Sequence, residues 1–461
     1  MTLIGTVVML AAILGLFYLV REKGGHTSSA LWIPVLWLIV VGSRPVSMWL
    51  NLNRNVTLET QYTEGSPVDA AYYGLLILAG AFVLNRRWRE TRQFLQSNLP
   101  ILLFLFYCAV SITWTDDPAI ALKRWIKAVG EFVIILVVLT DPTPSLAMKR
   151  LFNRVGFVLI PLSVLFIYVY PSMGAFFDPS DNKTIYFGVC TWKNQLGVLC
   201  MVCGLGSLWQ CIEAYGSRAL ENRNRPLIAH GAIVIVAAWL MVKCDAMTSF
   251  SCYALAGAVM VLTSTGWVKR RSSAVFTIVA SATGLALFAL FIDSAGTMLQ
   301  SIGRNSTLTG RTQIWAAVLA QHINPILGTG FESFWMGARM QSVWDLSQVG
   351  IEEAHNGYLE FYLNLGWVGI AVLGLLIVSG YRNAASLFRR DPNAGRLRIA
   401  LFTASLIFNC TEAGFRMMTP IWIAFLLATT AVPQESFAGA TARETLPVFG
   451  AIPRRQPRIL Q

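Results

Sequence analysis

Apolar stretches long enough to cross a bilayer recur from Leu3 to Val432, with short clusters of Lys and Arg between them. No other feature limits the possible folds so strongly. A hydrocarbon core takes about 20 apolar residues per helix, and every backbone polar group inside it must be satisfied within the protein. Helices are expected near 3–20, 30–43, 70–84, 98–113, 120–140, 152–170, 188–211, 227–243, 246–264, 274–292, 356–380, 399–411 and 418–432. That makes thirteen, or twelve if the last pair is one interrupted segment. Charged residues are 13% of the 461-residue chain and hydrophobic ones 55%, against roughly 25% charged in soluble domains. An ordinary soluble enzyme, a disordered chain and a fibrous repeat are excluded. The expected fold class is an all-α polytopic membrane protein, with one membrane domain over 1–432 and a tail over 433–461. Leu3–Val20 lacks a basic n-region and a small-residue cleavage site, so it reads as a span and not a cleaved signal.

The net charge of +12 is distributed by topology. Basic clusters follow every second span: Arg21 and Lys23; Arg86, Arg87, Arg89 and Arg92; Lys149, Arg150 and Arg154; Arg218, Arg223 and Arg225; Lys269, Arg270 and Arg271; Arg382, Arg389, Arg390, Arg396 and Arg398. The positive-inside rule puts these loops in the cytoplasm. The tail, with Arg443, Arg454, Arg455 and Arg458, falls on the same side, which favours two crossings in 399–432. Of the 36 Lys and Arg residues, twelve remain: Arg44, Arg54, Lys123, Arg124, Lys127, Lys183, Lys193, Lys243, Arg304, Arg311, Arg339 and Arg416. These lie in spans or on the outer side, against the charge bias, and an anionic ligand is the simplest reason for them.

The outer segment Asp293–His355 is far longer than the other connections, and loops of that length are usually functional or disordered. Ile314, Trp315, Val318, Leu319 and Ile323 recur at helical spacing, which predicts an amphipathic helix on or near the bilayer. It ends at Asn324-Pro325, before a Gly328-Thr329-Gly330 turn. In the next span Asn356, Glu360 and Asn364 stack four apart on one face. Such a stripe either makes interhelical hydrogen bonds or walls an outward-facing site with His355 at its mouth. His355 titrates near neutrality and is a candidate general base. No second His lies at metal-ligand spacing.

Arg311 opens the loop helix, where a cation opposes the helix dipole unless an anion sits nearby. Lys123, Lys127 and Glu131 share a face of the fifth span, leaving Arg124 without an obvious local partner. Lys193-Asn194 opens the seventh span. Glu412 and Arg416, four apart, are placed to pair with each other. Cys200-x-x-Cys203 lies inside an apolar run and reads as packing, as do the other six cysteines. No GxxxxGK[ST], HExxH or GxSxG is present, so energy must come from the substrate or a gradient.

Several motifs occur in order: Trp114-x-Asp116-Asp117-Pro118 with Leu122-Lys123-Arg124; Trp192-Lys193-Asn194-Gln195-Leu196-Gly197; Thr309-Gly310-Arg311-Thr312-x-Ile314-Trp315; Pro325-Ile326-Leu327-Gly328-x-Gly330; Ala354-His355-Asn356-x-Tyr358-Leu359; and Asn409-x-Thr411-Glu412. Over roughly 100–432 the chain resembles the O-antigen ligase/polymerase superfamily, and the Lys-Asn motif resembles its exopolysaccharide-polymerase subgroup. The resemblance implies a glycosyltransferase C-type-like fold. It implies a metal-independent enzyme without a cofactor, acting at the periplasmic face of a bacterial inner membrane. The donor would be a polyprenyl-diphosphate-linked saccharide and the acceptor another saccharide, free or lipid-linked, with other polysaccharide assembly proteins as partners and no nucleic acid. By position it implies catalytic roles for His355 and Arg311, and substrate binding by Arg124, Lys193, Asn194, Glu360 and Arg416. The subgroup usually carries His where this chain has Trp192, a residue suited to stacking on a sugar. A transporter or flippase for an anionic substrate would also explain outward cations, but the sequence shows no convincing internal repeat. An assembly subunit without catalysis is a third reading.

Overall fold

A computed structural model describes residues 2–21, 26–52, 65–179, 182–216, 223–271, 273–294, 308–347 and 351–433. Lys23, Arg54, Asp181, Arg218, Arg304 and the tail arginines Arg443, Arg454, Arg455 and Arg458 lie outside the described residues.

Each expected span coincides with a helix. In chain order these are α1 (Thr2–Leu19), α2 (Trp32–Val41), α3 (Pro67–Arg86), then a polar helix α4 (Trp88–Ser97) before α5 (Leu99–Ser111), α6 (Pro118–Leu139), α7 (Pro144–Tyr168), α8 (Lys193–Gly216), α9 (Asn224–Lys243), α10 (Met247–Leu262) and α11 (Ala274–Ser294). Two loop helices follow, α12 (Leu308–Leu319) and α13 (Gly337–Ser347), and then α14 (Gly357–Arg390), α15 (Pro392–Phe408) and α16 (Pro420–Thr429). Ala175–Asp178 and Lys183–Tyr186 form a small antiparallel hairpin that the sequence reading did not anticipate.

By length and apolar composition α1, α3, α7, α8, α9 and α14 can each cross a membrane alone, and the α4–α5 stretch is bent by 83°. Leu3, Leu14, Leu75, Phe82, Phe106 and Ile235 expose large apolar surfaces outward, as lipid-facing side chains do. Inside, Trp37, Phe157, Trp209, Phe402 and Phe425 are fully buried. Cys200 and Cys203 are buried and unbonded to each other.

Three helix starts share one local grammar, a polar cap followed by Pro at the first helical position. Asp117 accepts from the Ile120 N–H at the start of α6, Asp391 from Asn393 and Ala394 at α15, and Thr419 from Trp422 at α16. These caps place α15 seven residues earlier than expected, and α14 runs ten residues further. The apolar run marks the bilayer, whereas the helix continues through flanking basic turns.

The Arg398 guanidinium donates to the Thr430 carbonyl, so the start of α15 lies beside the end of α16 and 392–430 is a helical hairpin. Its turn, 409–419, is fixed by Asn409, which accepts from Phe415 N–H and whose carbonyl receives Gly357 N–H. The basic loops gather at the other end of the bundle: Arg87 meets Asp141 at 3.8 Å, and Lys149 meets Glu213 at 2.6 Å.

The long outer segment is sewn into α14. Gly366 breaks that helix with φ 62° and ψ −162°, freeing backbone groups that cannot be left unpaired in apolar surroundings. The 325–330 segment supplies the partners. Thr329 and Gly330 N–H donate to the carbonyls of Leu363 and Asn364, while Trp367 and Val368 N–H donate to those of Pro325 and Ile326. The approach is too close for side chains: a Cβ on Gly328 would sit 2.5 Å from the Asn364 backbone, and one on Gly366 would sit 2.3 Å from the Ile326 carbonyl.

The expected amphipathic helix is α12, but its apolar face meets protein. Ile314 and Val318 pack with Phe334, Trp335, Met340 and Val343, under the start of α14. α13 supplies the surface that the sequence reading had assigned to the bilayer. Leu319, placed on the apolar face by spacing, is exposed because the helix ends there.

Candidate active site

Three segments distant in sequence converge at the end of the bundle opposite the basic loops. They are the start of α12, residues 352–356 before α14, and the 409–419 turn. His355 sits at φ 49°, in the left-handed region that non-glycine residues seldom occupy. That backbone turns its imidazole toward the acids: Nδ1 lies 3.0 Å from Glu353 Oε1 and 3.3 Å from Glu412 Oε2. The other oxygen of Glu412 accepts from the Arg311 guanidinium at 2.9 Å. Asn194 Nδ2 reaches the same carboxylate at 3.4 Å. Arg416 lies 3.6 Å from Glu353 Oε2, lies 3.7 Å from Glu332 Oε2, and donates to the Glu352 carbonyl at 3.1 Å. The Arg124 guanidinium donates to the Glu332 carbonyl.

His355, Arg311, Asn194 and Arg416 therefore belong to one network of alternating charge, and Arg124 joins it through Glu332. Lys193 stands apart, paired with Asp245 at 3.7 Å on an exposed surface. Trp192 is exposed nearby in the chain. Glu360 is almost fully buried. Its carboxylate accepts from Trp335 Nε1 at 3.0 Å and from Ala354 N–H at 2.6 Å. Asn364 donates to the Glu360 carbonyl and accepts from Phe334 N–H, and Asn356 caps α14 and donates to the Cys410 carbonyl. The polar stripe thus makes the hydrogen bonds that hold the outer segment and the 409–419 turn against α14.

The pairing of Glu412 with Arg416, expected from their spacing, does not form. The 409–419 turn is not helical, so each residue finds a distant partner. Nor does every outer cation await an anionic ligand. Arg44 donates to the Cys190 and Gly188 carbonyls, Arg339 meets Asp116 at 2.9 Å, and Lys243 lies over the Tyr186 ring. These three answer to the protein itself.

Burial alone would lower the His355 pKa, but its bonds to Glu353 and Glu412 outweigh that and raise it to about 10. Burial would likewise raise Glu353, and His355, Arg416 and Arg311 together hold it below the usual carboxylate range. Burial pushes Glu352 upward, against the pull of Arg416. At neutral pH the imidazole is therefore an imidazolium between two carboxylates. Such a group can donate a proton or stabilise an anion.

Ligand atoms of Glu353, His355 and Glu412 lie within 4.8 Å of one another, a grouping compatible with a cation. Arg311 and Arg416 already neutralise both acids, and a metal would have to displace the imidazole proton.

Glu353, Glu412 and Glu332 were not singled out from the sequence as site residues. The usable signal was that three acids sit beside motifs in outer segments rich in misplaced cations.

The O-antigen ligase family (Wzy_C) matches residues 236–374, which contain Arg311, His355 and Glu360. A curated relative is the exopolysaccharide production protein ExoQ of Rhizobium meliloti (strain 1021). It is 22% identical over 374 residues, covering 78% of this chain and 81% of the relative. The helical architecture above makes the chain an all-α polytopic membrane protein, and the matches make it similar to the O-antigen ligase family over residues 236–374 and to ExoQ over most of its length.

Proposed function

We propose that the protein is a membrane polymerase or ligase of exopolysaccharide or O-antigen type, transferring a glycan from a polyprenyl diphosphate to a saccharide acceptor. The observation that carries this reading is the convergence of Arg311, Arg416 and His355 on Glu353 and Glu412, at the end of the bundle away from the basic loops. With basic loops in the cytoplasm, the site opens to the periplasm of an inner membrane. The described parts of 293–355 belong to the membrane domain 1–432, and 433–461 is a cytoplasmic tail. The transporter reading has no support from either match.

In the reaction, the acceptor hydroxyl oxygen forms a bond to the anomeric carbon as that carbon's bond to the diphosphate oxygen breaks. Arg311, Arg416 and the His355 imidazolium stabilise the charge that grows on the departing diphosphate. The hydroxyl proton passes to a carboxylate of the Glu353–Glu412 pair. The imidazole is held protonated by these acids, so the base role first assigned to His355 moves to them, and His355 keeps an electrostatic one. Asn194 orients Glu412, and Glu360 holds Ala354 next to His355. Arg124 steadies the Glu332 segment. Lys193, exposed and paired with Asp245 apart from the network, meets the saccharide or the lipid headgroup region. The bond broken supplies the driving force, and the carboxylates are matched by arginines, so the reaction needs no metal.

The direct test is reconstitution in liposomes with a lipid-diphosphate oligosaccharide. Wild-type protein should yield longer or transferred glycan and free polyprenyl diphosphate. Arg311→Ala and Glu412→Gln should be folded and inactive. Normal product from both variants would reject the assignment.

A further inference from the structure

Resting on the reading above, the cations of the site, among the described residues, already face internal acids. The cations Arg311, Arg416 and His355 are matched by Glu412, Glu353 and Glu332. The cavity lined by Glu332, Glu360, Arg416 and Met417 encloses about 20 Å³, space for one water. A phosphoryl group can take the place beside Arg416 and Met417 only if the Glu332 carboxylate leaves it.

The three acids are not equally fixed. Glu412 and Glu353 are tied to His355, and Glu412 also to Arg311 and Asn194. Glu332 is held more loosely. One carboxylate oxygen lies 3.7 Å from Arg416 Nε, and the other accepts from Met417 N–H at 3.3 Å, both longer than usual for charge-assisted bonds. Its backbone sits at φ 52°, between Gly330 at φ 94° and Gly337 at φ 55°, on a segment without regular structure. A guanidinium beside a backbone N–H is a typical phosphoryl-binding pair. The next N–H, that of Met418, is spent on the fully buried Glu131 at 2.7 Å, which fixes the turn from beneath.

We propose that the Arg416 guanidinium and the Met417 N–H form a subsite for one phosphoryl group of the donor, and that the Glu332 carboxylate fills it as an internal stand-in until the donor displaces it. Glu332 then sets how tightly the diphosphate binds and discriminates against weaker anions. Its backbone carbonyl, held by Arg124, keeps the segment anchored while the side chain swings out.

The test is equilibrium binding of inorganic pyrophosphate and of farnesyl diphosphate to detergent-purified full-length protein. Glu332→Gln keeps the shape and removes the charge. It should bind both probes about tenfold more tightly than wild type, since losing one charge-assisted contact is worth roughly that factor. Arg416→Ala should weaken binding by a similar factor, and E332Q should give no gain in the Arg416→Ala background. Glu332→Asp, which retains charge on a shorter stem, should fall between wild type and E332Q, and it serves if E332Q is recovered unfolded. Unchanged or weaker binding by E332Q, with R416A still defective, overturns the stand-in while leaving the diphosphate reading intact. Equal binding by wild type, R311A and R416A overturns that reading and the subsite with it.

Discussion

Arg311 and Glu412 meet at 2.9 Å although 101 positions separate them in the chain. The contact joins the first turn of α12 to the turn between α15 and α16, so neither residue is placed by its own helix. Removing either one disturbs the same unit. Arg311→Ala and Glu412→Gln should each lower glycan transfer by about 10²–10⁴-fold. The double variant should lose little more than the worse single one. Radiolabelled product per unit of folded protein measures this, and full multiplicative losses would mean that the two act separately.

The imidazole of His355 makes stability depend on pH. Its pKa is about 10 in the folded protein against 6.5 as the ordinary value. The folded state therefore binds the extra proton between those values, and unfolding free energy falls as pH rises through that window. The stabilisation is complete below about pH 6.5 and is lost as pH approaches 10. Thermal unfolding in detergent across pH 6–10.5 should show this decline in wild type. His355→Gln should flatten it, and a parallel decline in both would assign the effect to other groups.

Glu360 supports the site through Ala354 and Trp335. Glu360→Ala leaves two buried N–H groups unsatisfied and should destabilise the protein by about 2–5 kcal/mol. Trp335→Phe removes one donor and should cost about 1–2 kcal/mol. Chemical unfolding followed by Trp fluorescence reads both, with E360A showing reduced transfer in proportion to its misfolded fraction. Wild-type stability with abolished transfer would instead make Glu360 a direct contact to substrate.

Gly328 has φ 70°, and an added Cβ would meet the Asn364 backbone at 2.5 Å. Gly328→Ala should therefore lower stability by about 2–4 kcal/mol and loosen the 325–330 segment. Faster amide exchange at Trp367 and Val368, which donate to that segment, is the expected local signature.

Transfer activity should survive thorough chelation, because Arg311 and Arg416 already balance the acids that would ligate an ion. Loss of turnover in EDTA, restored by a single divalent cation, would place a metal at Glu353, His355 and Glu412.

The helices were legible because apolar periodicity and Asp-Pro or Thr-Pro caps are local signals. Arg311 and Arg416 stood out for a related reason, as charges where the bilayer disfavours them, and His355 as the imidazole at the mouth of a polar stripe. Their partners did not. Glu353 is next but one to His355, yet its role depends on Arg416 from another turn, and Glu332 enters from the long outer segment. Such pairings are decided by tertiary placement, which spacing along the chain does not encode. The stripe of Asn356, Glu360 and Asn364 illustrates the same limit: polar residues facing a tryptophan N–H and a backbone amide are spaced like residues facing water.

The break at Gly366 carries a consequence for biogenesis. Residues 325–330 are synthesised before their partners at 363–368, so the bonds between them close only once the chain through the Gly366 kink is in place. The site can be completed only after the chain has passed the Gly366 kink and the 409–419 turn, which makes residues 366–419 the stretch whose arrival completes it.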